Sequence, residues 1–144
     1  MIFQLPYSRN EFNLYANEQL GIDDSFLKKL ISGKQKSPQM EIIDWHGPIW
    51  ECLNNSRPRK GRIELRTDGI IITIKTSKKK FGWIIPFYKL HVFKSAGLHV
   101  YAEGNKISFR INSNSQRSIH FLTKLMIAKL DHKSSQTLFV NYDA

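Results

Sequence analysis

Five histidines, one cysteine and twelve carboxylates are the side chains of this 144-residue sequence that could carry out bond chemistry. Their spacing assembles none of it. A structural zinc takes four ligands and a catalytic one usually three, yet His46, His91, His99, His120 and His132 form no HExxH or paired-histidine motif. His46 with Cys52 is the nearest approach to a metal pair or a nucleophile–base pair, and no motif sets that cysteine at a helix start. Glu11, Glu18, Glu41, Glu51 and Glu64 offer carboxylates that no spacing fixes in pairs for acid–base work. Phosphate-loop and dinucleotide signatures are absent. No catalytic residue, metal or cofactor is therefore expected. A small enzyme of unknown reaction class stays open as an alternative, and it requires a deep cleft holding His46, Cys52 or His91 beside a carboxylate.

What the sequence does concentrate is positive charge. The formal net charge is +10. Residues 1–56 carry five Lys/Arg against seven Asp/Glu, whereas residues 57–144 carry 17 against five. Arg57, Arg59, Lys60 and Arg62 make the densest arginine cluster, with Pro58 stiffening it. Arginine forks match phosphate oxygens two at a time. Lys78, Lys79 and Lys80 read as a second exposed basic loop. Two such loops on one rim would grip an anionic surface, each charge near it contributing about 1 kcal/mol. Lys106 and Arg110, with Arg62, fall on outward strand faces beside His99 and Tyr101. Basic and aromatic residues so interleaved suit single-stranded nucleic acid, although no RNP, KH or zinc-finger spacing accompanies them. Solvated turns and the polar face of a half-buried sheet account for the same residues without a ligand.

These side chains need a frame. One cysteine excludes a disulfide framework. No apolar run approaches 18 residues, and the start lacks a basic segment followed by a long apolar one, so neither a spanning helix nor a signal peptide is expected. The length suits one domain with an appendage. Residues 1–38 read as a helical extension: Phe12, Leu14 and Tyr15 lie in one stretch, and Phe26, Leu27, Leu30 and Ile31 share a helical face after the capping candidates Asp23–Ser25. Residues 39–144 read as an antiparallel roll. Alternation runs through Ile63 and Leu65, turns at Asp68-Gly69, and continues through Ile70, Ile72 and Ile74. It resumes at Phe81, Trp83 and Ile85, then Leu90 and Val92, Leu98 and Val100, and Ile107, Phe109 and Ile111. Turns too short for crossovers make the pairing antiparallel. The period then changes: Ser113 with Gln116 resembles a capping box, and Ile119, Leu122, Leu125, Met126 and Leu130 predict a helix near 115–132 that lies on the sheet. Thr137–Val140 would add an edge strand or a tail contact. Of Trp83, Phe87, Tyr88 and Phe93, core packing is the expected role.

Three stretches carry a family resemblance: Gly61-Arg62-Ile63-Glu64-Leu65-Arg66-Thr67-Asp68-Gly69-Ile70, Ile85-Pro86-Phe87-Tyr88-Lys89-Leu90-His91-Val92, and Lys106-Ile107-Ser108-Phe109-Arg110-Ile111 ahead of the helix. In type and spacing, residues of about 57–133 resemble the pleckstrin-homology-like superfold, especially its GRAM-like branch. The resemblance implies an α+β fold: an antiparallel roll of six or seven short strands with a C-terminal helix over one open end. The first strand would come from Ile42–Trp45 or Ile49–Leu53. It also implies binding to phosphoinositide headgroups, anionic membrane or protein partners rather than catalysis. Lys60-Gly61-Arg62 matches the second part of the family's phosphoinositide pattern, and a lysine on the preceding strand has no match. The expectation is a non-catalytic module, cytoplasmic and peripheral at the membrane, that binds an anionic membrane or an acidic protein. Nucleic acid is the runner-up.

Overall fold

The computed structural model describes residues 2–5, 36–53, 57–66, 68–77, 79–111 and 116–143. Eight strands form one antiparallel sheet: β1 (Ile2–Leu5), β2 (Met40–His46), β3 (Lys60–Leu65), β4 (Gly69–Lys75), β5 (Lys80–Pro86), β6 (His91–Lys94), β7 (Leu98–Ala102) and β8 (Asn105–Phe109). Their spatial order is β1-β5-β4-β3-β2-β8-β7-β6. Short turns produce the two meanders β3-β4-β5 and β6-β7-β8, and β2 joins them. Its first residues, Met40 and Glu41, pair with Gly61 and Lys60 of β3. A bulge between Ile42 and Asp44 then bends it along β8 as far as His46–Lys106.

That bend folds two half-sheets over one core. Ile63, Ile72, Ile74 and Trp83 come from one half, and Val100, Ile107 and Phe109 from the other; all sit in a single buried cluster. The alternation in the sequence is this inward face, although Ile71 and Ile84, paired on the other side of β4 and β5, are buried as well. Gly61 shows how closely the halves approach: a Cβ there would lie 2.7 Å from Cε1 of Phe109. Between β2 and β3 a 3-10 turn, Pro48–Leu53, sends Trp50 and Leu53 into the core, where Trp50 meets Trp83 edge-on at 5.4 Å. A second 3-10 turn, Phe87–Lys89, follows β5. It contacts α1 (Gln116–Asp143), whose Phe121, Leu122 and Leu125 complete the core.

The structure settles one open choice, and it departs from other expectations. The first of the seven strands between Met40 and Phe109 is Met40–His46, while Ile49–Leu53 belongs to the 3-10 turn. The predicted N-terminal helices, like Ser113, lie outside the described residues. Ile2–Leu5 instead forms a strand along β5. The segment just before β2 is tied to the sheet: Ser37 is 1% exposed, its N–H donates to the Ile63 carbonyl (2.7 Å), and its Oγ accepts from the Ile63 N–H (2.9 Å). Finally, Thr137–Val140 continues α1, with no edge strand there. Among the aromatics, Trp83 and Phe87 are buried as expected, but Tyr88 and Phe93 are exposed.

Candidate functional site

The register of β3, β4 and β5 decides which cations meet. Lys60 pairs with Lys75, and Lys75 with Lys80. Residues directly opposite in neighbouring strands project to the same side. All three are exposed, whereas Gly61, Ile74 and Phe81, the next residues in from the strand ends, are buried. Three lysines thus form a row across three strands, spanning about 10 Å at the usual strand spacing. Arg62 projects from the same face two residues further along β3, opposite Thr73.

The loops close in on this row. Arg59 donates its N–H to the Lys75 carbonyl (2.9 Å) and accepts from the Ile42 N–H (2.9 Å), which pins it to the same end of the sheet. The Arg57 guanidinium stands 5.7 Å from the Trp45 ring centroid, a cation–π distance. The β4–β5 turn is closed by Thr76, whose N–H donates to the Lys79 carbonyl and whose Oγ accepts from the Lys79 N–H, both at 2.9 Å. Arg59, Lys60, Arg62, Lys79 and Lys80 therefore gather at one end of β3–β5, while Arg57 lies over Trp45, which pairs with Ile107 of β8; Lys78 lies outside the described residues. Lys75 is a rim residue that sequence reasoning missed, because it sits at the end of an apolar strand and only pairing register discloses its neighbours.

Lys106 does not join the rim, and Arg110 adjoins it only through Glu41, the residue opposite Lys60 on β2. They project from the other half-sheet, each against a carboxylate: Lys106 Nζ lies 3.1 Å from Asp44 Oδ2, and Arg110 Nε lies 3.4 Å from Glu41 Oε2. The hydrogen bond from Lys106 holds the Asp44 carboxyl below the usual aspartate range, and the same bond raises Lys106. Nearby, Phe93 stacks on His99 (4.9 Å) and on Tyr101 (5.6 Å). The aromatic faces that would take a nucleobase are spent partly on one another.

The Asp44 carboxyl is lowered in the folded chain, so its contribution to stability is full above the unfolded value of about 3.9. It is lost as pH falls through the lowered folded value. Because the side chain is well exposed, solvent screening keeps the effect below about 1 kcal/mol. Asp44→Asn is expected to flatten the acid limb of a melting-temperature profile between about pH 5 and pH 2, slightly and less so in high salt. An unchanged acid limb would show that the Lys106 contact adds nothing.

His46 Nε2 approaches Asp44 Oδ1 at 3.1 Å, but the imidazole is 71% exposed. This is an exposed surface pair. Among the described residues no group of three or more His, Cys, Asp or Glu converges, and no helix is long and apolar enough to cross a membrane. No family model, curated protein or solved structure matches the chain.

Proposed function

We propose that this protein is a non-catalytic interaction module of pleckstrin-homology-like design that docks on an anionic membrane through its basic rim. The observation that carries the reading is the lysine row Lys60–Lys75–Lys80, flanked by Arg59 and Lys79. Like charges directly opposite in a sheet oppose folding; Glu41, opposite Lys60 on β2, offsets part of that repulsion, and an anionic plane outside the sheet would offset more. The frame agrees with the resemblance: seven strands from Met40 to Phe109, two half-sheets over one core, and a helix after the last strand. The first of those strands, Met40–His46, supplies no lysine to complete the family's headgroup pattern. A broad charged plane fits these residues better than a dedicated phosphoinositide pocket. The rim would hold the protein peripherally at a cytoplasmic membrane face.

The deciding measurement sets flotation with neutral and anionic vesicles beside gel shift with DNA and RNA, at about 0.15 M salt. Anionic vesicles alone are expected to retain the protein. Joint substitution of Arg57, Arg59, Lys60 and Arg62 by Ser should release it. Retention by nucleic acid without vesicles would transfer the reading to the runner-up. If neither binds, an acidic protein partner is the form that survives.

A further inference from the structure

The outer face of β4 and β5 is apolar and covered. Directly opposed residues share a side of a sheet, so Ile71 and Ile84, which pair with each other, point away from the core row Ile63–Ile72–Trp83. They are 3% and 1% exposed, yet neither belongs to the cluster that takes in both half-sheets and α1. Gly69, Gly82 and Pro86 flank them on the same face and are buried too. At the rim end of that face Lys60, Arg62 and Lys75 are exposed, so the cover is confined to the far end. A single chain completes this burial, and no second copy is needed to supply it.

The ends of residues 6–35 stand on either side of this patch. Leu5 pairs with Lys80 at the outer edge of β5, and Lys36 bridges Glu64 on the side of β3 away from β4. Glu64, Ile71 and Ile84 form one cross-strand row, so the chain rejoins the sheet level with the patch. The crossing is four strand spacings, about 19 Å, and the core fills the other face. We propose that the outer face of β4–β5 is a docking surface whose occupant is the stretch Phe26–Ile31 of the same chain. Phe26, Leu27, Leu30 and Ile31 stand at i, i+1, i+4 and i+5, one apolar helical face with Lys28 and Lys29 behind it. A helix with its side chains is about 10 Å across, the width of two strands. Gly69 and Gly82 allow it a close approach, and the two isoleucines supply the apolar contact. Ile31 precedes Lys36 by five residues, a reach of up to about 17 Å that brings it from the bridge to the patch.

The test is methyl nuclear Overhauser spectroscopy on the full chain with its Ile and Leu methyls labelled. Cross-peaks from the Ile71 and Ile84 δ1 methyls to the methyls of Leu27, Leu30 or Ile31 are expected. Cross-peaks instead to Leu14 or Leu20, or to Leu138 near the end of α1, would give the face to another stretch and overturn the assignment. Cross-peaks found only between differently labelled copies in a mixed sample would overturn it too, since the occupant would then be a second molecule. Bleaching of both isoleucine methyls by a soluble paramagnetic agent would show the face open to water, with the same consequence. A double-mutant cycle gives a second readout. Ile71→Ala, and the pair Leu27→Ala with Leu30→Ala, should each lower Tm. Combined, they should lower it less than the two losses added, by about 2 °C or more. Strict additivity would mean that the two sets of side chains do not touch.

Discussion

Lys75→Glu is expected to raise the stability of the fold and to weaken its hold on anionic vesicles at once. Lys75 stands between Lys60 and Lys80 in directly opposed register. A glutamate there turns two cross-strand repulsions into two attractions. Each cross-strand charge pair is worth roughly 0.2–1 kcal/mol, and these side chains are exposed, so the lower part of that range applies. The net gain should be about 0.5–1.5 kcal/mol, or roughly 2–5 °C in Tm for a chain of this size. The same change alters the rim by two charges. At about 1 kcal/mol for each charge near an anionic surface, vesicle affinity should fall about thirtyfold. A purely structural lysine would not link the two effects in opposite directions. Unchanged flotation with Lys75→Glu would remove the row from the binding surface, and a lower Tm would show that the lysines are not in mutual repulsion.

The frame around this row was legible where local patterning decides structure. Ile63 and Leu65 alternate with more exposed residues because one face of β3 meets the core, whereas in β4 and β5 the other face is buried as well, at Ile71 and Ile84. The turn at Glu103-Gly104 carries the residues a tight hairpin needs, but Gly69, expected in a turn with Asp68, is already the first residue of β4 and has no positive φ. Glu103 and Gly104 have φ of 52° and 80°, the left-handed values of a tight hairpin. Register is another matter. Which cation faces which depends on pairing between strands, so Lys78–Lys80 was visible as a run while Lys75 was not. The bend of β2 was hidden for a similar reason: it answers to two partner strands, and neither is local. Thr137–Val140 looks like a strand because Thr, Phe and Val favour one, but the helix begun at Gln116 runs on through them. Ile2–Leu5 is too brief for periodicity to speak; its partner β5 makes it a strand.

Asn105→Ala is expected to cost the most stability of any single polar change described here, and it should loosen the rim as well. The side chain is 5% exposed at the start of β8. Its Oδ1 accepts from the Ile49 N–H (3.0 Å), and its Nδ2 donates to the carbonyls of Ala102 (3.3 Å) and Glu103 (3.2 Å). Beside it, Trp50 Nε1 donates to the carbonyls of His46 (2.8 Å) and Lys106 (3.1 Å). Together these bonds fasten the Pro48–Leu53 turn to the β7–β8 hairpin, and the chain leaves that turn toward Arg57 and Lys60. Alanine strands the Ile49 N–H and frees two carbonyls, for roughly 2–4 kcal/mol and a Tm lower by about 10 °C. Asn105→Asp restores the acceptor but loses both donations and sets a negative charge against two carbonyl oxygens, so it should not rescue the loss. Gly47→Ala attacks the same joint from the other side. Gly47 has φ of +119°, and a Cβ there would overlap Oδ1 of Asn105 and lie 2.7 Å from its Cα and 2.8 Å from the Gly104 carbonyl oxygen. The double variant should lose less than the two single losses added, by about 0.5 kcal/mol or more. Alanine at 105 removes the oxygen the new methyl meets, while the backbone clash remains. Simple additivity would mean that Gly47 and Asn105 do not form one joint, and a Tm for Asn105→Ala within about 2 °C of the unsubstituted protein would mean that the turn is held by Trp50 alone.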